Sequence, residues 1–89
     1  MILSVIIPTH NRCSLLQAAL NSLEMQTLPR SDFEVLVIDN GSTDNTKQVV
    51  ESAQQRLGNV RYFYEPTPGL HVGRHLGLKM AESDILVYA

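Results

Sequence analysis

The stretch that decides the fold runs from Glu34 to Thr46, EVLVIDNGSTDNT. Val35, Leu36, Val37 and Ile38 form an unbroken aliphatic run with no polar alternation, as expected of a strand covered on both faces and hence of a parallel sheet. Asp39 and Asn40 leave that strand. Gly41 can take the positive φ of a tight turn, and Ser42, Thr43 and Asp44 offer oxygens to the free N–H groups of a following helix. A carboxylate at such a strand end lies on the rim where open α/β sheets bind ligands. Read alone, Asp39 serves equally well as a turn residue, because Asp side chains commonly close turns on their own backbone.

Working outward, strand-like and helix-like segments alternate, which argues for a layered α/β fold. A first strand spans about Leu3 to Ile7 and is expected to stop at Pro8, which has no N–H for a central ladder. A first helix follows from about Arg12 to Gln26, with Leu15, Leu16, Ala19, Leu20 and Leu23 on its inner stripe. Its cap is either Asn11 or a box made by Ser14 and Gln17. Thr27 to Asp32, with Pro29, makes the return loop. A second helix spans about Asp44 to Leu57, turns Val49, Val50, Ala53 and Leu57 inward, and ends at Gly58 and Asn59. Val60 to Tyr64 reads as a third strand, near an edge because Arg61 interrupts its apolar run.

The segment from Pro66 to Glu82 carries Val72, Leu76 and Met80 on one helical stripe, with Gly69, Gly73 and Gly77 also spaced by four. Each interior Gly costs about 1 kcal/mol of helix stability relative to Ala, so these glycines need a reason: close packing on the sheet, or backbone approach to a ligand. Asp84 to Ala89 is a fourth strand-like run. The expected fold class is α/β: a Rossmann-like, three-layer half-domain with a mainly parallel sheet of about four strands and three helices.

A chain of 89 residues is one domain at most, and 44% hydrophobic with 18% charged residues is a globular composition. A net charge of −2, with scattered basic residues, gives no general attraction for nucleic acid or anionic membrane, so no nucleic-acid partner is expected. The lone Cys13 excludes an internal disulfide and fits a reducing, cytoplasmic compartment; it reads as a plain small residue before a reactive thiol. The opening MILSVII lacks a basic n-region and is too short to span a bilayer, so it is a strand and the chain has no transmembrane segment.

Right-handed crossovers between parallel strands would bring Pro8 to Arg12, Asp39 to Thr43, Glu65 to Leu70 and Tyr88 to Ala89 to one rim. There the His10 ring could stack on a base, Asp39 could accept from a base N–H or a ribose hydroxyl, and Arg12 or Arg74 could pair with phosphate. That set suits a nucleotide. His71 and His75 have the spacing of two zinc ligands on one helix face, but HVGRH lacks the Glu of H-E-x-x-H, and surface histidines are the preferred reading. The absence of G-x-G-x-x-G after Ile7, and of any P-loop, counts against NAD-dependent and ATPase functions. A sugar-phosphate nucleotidyltransferase would carry a Gly-rich loop where PTHNR stands. Tyr62, Phe63 and Tyr64 read as core and edge packing rather than base stacking.

PTHNR at Pro8 to Arg12, VLVIDNGSTDNT, and GLHVGRHLGLKMAESDILVYA, in that order and spanning essentially the whole chain, resemble the amino-terminal half of family 2 inverting glycosyltransferases of GT-A fold. The resemblance implies that Pro8, Thr9, His10, Asn11 and Arg12 lie against the nucleotide, with His10 where an aromatic often stacks on the base. It implies that Asp39 contacts the base or ribose of a nucleoside-diphospho-sugar donor. It also matches Arg74 to the Arg of an Ala-Arg-Asn-like motif, with His75 in place of the Asn.

In that family an Asp-x-Asp motif follows the LVYA-like strand and binds a divalent metal (Mg or Mn) on the donor diphosphate; the catalytic base comes later still. Neither lies within residues 1–89. The chain is therefore expected to be incomplete, to hold no metal by itself and not to transfer sugar alone. The parent protein would act in polysaccharide or glycoconjugate synthesis, in the cytoplasm or at the cytoplasmic face of a membrane. Apolar surfaces left uncovered by truncation would favour self-association. The alternative is a non-catalytic α/β module that binds a nucleotide or a protein.

Overall fold

The computed structural model describes residues 3–25, 29–66, 76, 79–81 and 86–88. The elements are β1 (Leu3–Thr9), α1 (Cys13–Glu24), a single 3-10 turn at Arg30–Asp32, β2 (Phe33–Asp39), α2 (Thr46–Leu57), β3 (Val60–Tyr64) and β4 (Leu86–Tyr88). The strands form one sheet in the order β3-β2-β1-β4. Every pairing is parallel: Leu3 aligns with Phe33, Val35 with Val60, and Ser4 with Leu86.

Because successive side chains of a strand point to opposite faces, β1 and β2 feed two separate cores. Val5, Ile7, Phe33, Val35, Val37 and Val60 pack with Leu16 and Leu20 of α1 and with Val50, Ala53 and Leu57 of α2. Ile6, Leu36 and Ile38 form the opposite core, covered by Phe63, Leu76, Met80 and Ala81. Both faces of β2 are therefore sealed, and all seven of its residues are buried. The continuous apolar run in the sequence has this cause. Leu76 and Lys79–Met80 are helical and supply the third layer. The remainder of the expected third helix, with Gly69, Gly73, Gly77, His71, Arg74 and His75, lies outside the described residues.

The second face also buries a charge. Glu34 is 2% exposed, accepts a hydrogen bond from Ser4 Oγ at 2.5 Å and pairs with Arg61 at 3.0 Å. The same Arg61 nitrogen donates to the Met80 carbonyl at 3.1 Å, and the guanidinium lies 5.1 Å from the centre of the Phe63 ring. Arg61 thus interrupts the apolar pattern of β3 to neutralise Glu34 and to tie the third layer to the sheet.

Two local expectations are corrected. Pro8 does not stop the first strand, which continues to Thr9 with Pro8 aligned to Ile38. The Thr9 carbonyl faces β2, since it accepts the Asn40 N–H, so strand alternation turns the Pro8 nitrogen away from β2. On that other side the described register with β4 runs from Ser4 and Leu86 to Ile6 and Tyr88. Leu15 does not join the inner stripe of α1: it is 66% exposed, while Leu16 and Leu20 are buried and Ala19 and Leu23 pack at the margin.

Candidate functional site

Strand order reverses at β1, whose neighbours β2 and β4 are reached by connections leaving in opposite directions. Crevices at such reversals, outside the carboxyl ends of the strands, are where open α/β sheets take ligands. The ends of β1 and β2 meet there, with Thr9 aligned to Asp39 and the Asn40 N–H donating to the Thr9 carbonyl at 2.8 Å.

Beyond the strands, two loops are sewn together. His10 Nδ1 lies 2.6 Å from the Asn40 carbonyl oxygen. That oxygen can only accept, so Nδ1 carries the proton and Nε2 is left to accept from the Asn11 amide at 3.4 Å. Asn11 has φ 49, the single positive φ of a non-glycine residue among those described. Asn tolerates this left-handed conformation, and here its contacts hold it. Its N–H donates to Ser42 Oγ at 2.9 Å, and its Oδ1 accepts the Thr43 N–H at 2.7 Å. Gly41, at φ 73, turns the second loop back to meet it.

The cap of α1 comes from that second loop. The helix begins after Arg12 with no side-chain cap from its own segment, so neither Asn11 nor a Ser14–Gln17 box caps it. Instead the Cys13 N–H donates to Asp44 Oδ2 at 3.2 Å. Asp44 Oδ1 accepts the Thr46 N–H at 3.1 Å and also the Thr46 hydroxyl, so the same carboxylate starts α2. The Thr46 hydroxyl is the main reason the Asp44 carboxyl is held below its ordinary pKa.

Asp39 lies deeper than a rim position implies, at 2% exposure. Its Oδ1 accepts the Ser42 N–H at 3.0 Å, which closes the turn, and its Oδ2 accepts the Tyr62 hydroxyl at 2.5 Å. The turn role and a ligand role do not exclude each other. A carboxylate has about four acceptor positions, and these two bonds leave about two. Tyr62 packs against the first core, as its strand position predicts, and in addition its hydroxyl reaches the Asp39 carboxylate. Tyr62 aligns with Val37, two residues before Asp39, and so points to the same face. Burial first, and then the bond to Asp39, push the Tyr62 phenol above its ordinary pKa.

The sequence-predicted residues therefore separate into groups. His10, Asn11 and Arg12 are exposed on the rim, Pro8 is half-buried, and Thr9 and Asp39 are buried at the strand ends. Arg12 is the one cation in the stretch from Pro8 to Thr46 that comes from the rim loops. Among the described residues no group of His, Cys, Asp or Glu is placed to hold a metal ion. The two rim carboxylates are engaged by Ser42, Tyr62, Cys13 and Thr46, so the described residues do not fit a divalent cation. Nor, among the described residues, is any helix long and apolar enough to cross a membrane.

Comparison with known proteins gives a consistent result. Residues 4–89 match the family model described as Glycosyl transferase family 2. Validoxylamine A glucosyltransferase of Streptomyces hygroscopicus subsp. jinggangensis is 42% identical over 89 residues, an alignment covering 98% of this chain and 21% of that protein. The crystal structure of S. aureus TarS 1-349 in complex with UDP-GlcNAc superposes with a TM-score of 0.90 at 38% identity, covering 100% of this chain and 26% of that one. The mannosyltransferase PcManGT from Pyrobaculum calidifontis, in complex with GDP-Man and Mn2+, gives a TM-score of 0.86 at 28% identity, covering 94% of this chain and 25% of that one. The chain spans about a fifth of the length of the curated relative, at 21%. Its α/β architecture is that of GT-A glycosyltransferases.

Proposed function

Because the chain belongs to glycosyl transferase family 2, we propose that residues 1–89 form the amino-terminal, nucleotide-sugar-binding part of a GT-A glycosyltransferase domain. The protein would transfer a sugar from a nucleoside-diphospho-sugar to an acceptor hydroxyl, in polysaccharide or glycoconjugate synthesis. The observation that carries this reading is the sewn rim: exposed His10, Asn11 and Arg12 stand on a loop bonded directly to the loop that follows Asp39.

Each group has a chemical task on this reading. The His10 ring, held through Nδ1, offers a flat face to a base. Asp39 accepts from an N–H of the base or a hydroxyl of the ribose, and Pro8 and Thr9 set the backbone beneath it. Arg12 and Arg74 meet phosphate charge. A divalent cation, when bound, would neutralise charge on the leaving diphosphate, with ligands other than Asp39 and Asp44.

Calorimetric titration of UDP and of GDP into the protein expressed in full from its own gene tests the reading. At least one should bind, and Asp39→Ala should weaken it by about tenfold or more, the value of a hydrogen bond to a charged group. Binding of neither nucleotide would overturn the assignment; equal affinity in the variant would remove Asp39 from the site.

A further inference from the structure

We propose that Tyr62 is a positioning residue for the donor nucleotide, acting through Asp39. The inference rests on the nucleotide reading of Asp39 and adds a residue to it. Tyr62 sits on β3, two strands from the exposed loop of β1, and its hydroxyl reaches Asp39 Oδ2 at 2.5 Å. With the Ser42 N–H on Oδ1 at 3.0 Å, one donor holds each carboxylate oxygen. The carboxylate plane is thereby fixed from two sides.

That arrangement has consequences for binding. An Asp side chain turns freely about its terminal torsion unless something fixes it, and a ligand that must orient it bears the entropic cost. Tyr62 removes that rotation before the ligand arrives. The backbone N–H of Ser42 alone would anchor one oxygen and leave the other free to swing about it. Tyr62 also keeps its proton into the alkaline range, since burial and Asp39 both oppose phenolate formation, so it remains a donor to the carboxylate. Its neighbour Tyr64 aligns with Asp39 in register yet is 54% exposed and makes no hydrogen bond to the carboxylate.

The test is a double-mutant cycle on the full protein, with UDP or GDP affinity as the readout. Tyr62→Phe keeps the ring and removes the hydroxyl. It should weaken nucleotide binding by about tenfold in the native background and have no effect in the Asp39→Ala background. Loss of affinity in Tyr62→Phe that is equal in both backgrounds marks a merely structural role and overturns the inference. So does unchanged affinity in Tyr62→Phe while Asp39→Ala alone is weakened, a result that leaves the nucleotide reading standing. Unchanged affinity in Asp39→Ala removes both. A second measurement does not require the Phe variant to fold: ring NMR of Tyr62 through an alkaline titration. Ionisation of Tyr62 at lower pH in Asp39→Ala than in the native protein supports the link, and identical titration overturns it.

Discussion

Asp44 belongs to the loop before α2, yet its Oδ2 accepts the N–H of Cys13, the first residue of α1, at 3.2 Å. Its Oδ1 accepts the N–H of Thr46, the first residue of α2, at 3.1 Å. One carboxylate therefore satisfies an orphan donor on each of two helices, and its negative charge sits at the positive end of both. Asp44→Ala should fray α1 and α2 together. Amide hydrogen exchange should accelerate in the first turns of both helices, and the urea midpoint should fall. Asp44→Asn, which keeps one carbonyl acceptor, should lie between.

The same group gives a pH dependence. Asp44 gives up its proton more readily in the folded protein, chiefly because the Thr46 hydroxyl donates to the charged form. A carboxyl whose folded pKa is lowered adds stability that is fully present above its unfolded value and is lost as pH falls through the folded one. The stability difference between native protein and Asp44→Ala should hold steady down to the ordinary value of 3.8 and shrink below it. Urea denaturation of both proteins across acid pH checks this.

Glu34 and Arg61 form a pair with one member 3% and the other 38% exposed at the side chain. Arg61→Met leaves the Glu34 carboxylate buried without its cation and should cost about 1–3 kcal/mol, less than for a fully buried pair because Arg61 is partly solvated. Glu34→Met combined with Arg61→Met should recover part of that loss. Chemical denaturation of the two single variants and the double variant yields the coupling.

Leu20 and Leu15 separate the two sides of α1. Leu20 is 0% exposed and Leu15 is 66% exposed. Leu20→Ala should cost about 2–5 kcal/mol through lost burial and a residual cavity, whereas Leu15→Ala should change stability by about 0.5 kcal/mol or less. Thermal or urea unfolding distinguishes them.

The contrast also marks what periodicity can reveal. The buried run Val35 to Ile38, the alternation of strands with helices, and the Gly58 stop of α2 at φ 74 were legible because each is set by local pattern or local backbone geometry. Leu15 was misplaced because a leucine-rich helix offers more apolar positions than its buried face can hold. Pro8 was misread because its missing N–H matters only on the side it faces, and β1 keeps its pairing with β2, Pro8 aligned with Ile38 and Thr9 with Asp39. That the PTHNR loop and Asp39 come together at the ends of β1 and β2 was legible from the strand pattern. Tyr62 on Asp39, and Asp44 on Cys13, join residues more than twenty positions apart, and no local pattern announces such bonds.

The bonds between Asn11 and Ser42, Asn11 and Thr43, and Cys13 and Asp44 carry a lesson for exchange of parts between relatives. Residues 9–13 and 39–46 are separate in the gene but are one component in space. Each contact joins a backbone N–H on one segment to a side-chain oxygen on the other, so a chimaera that imports either segment alone keeps the seam only where the oxygens of Asn11, Ser42 and Asp44 are still supplied. Transplanted as a matched set, the two segments would bring their own seam with them.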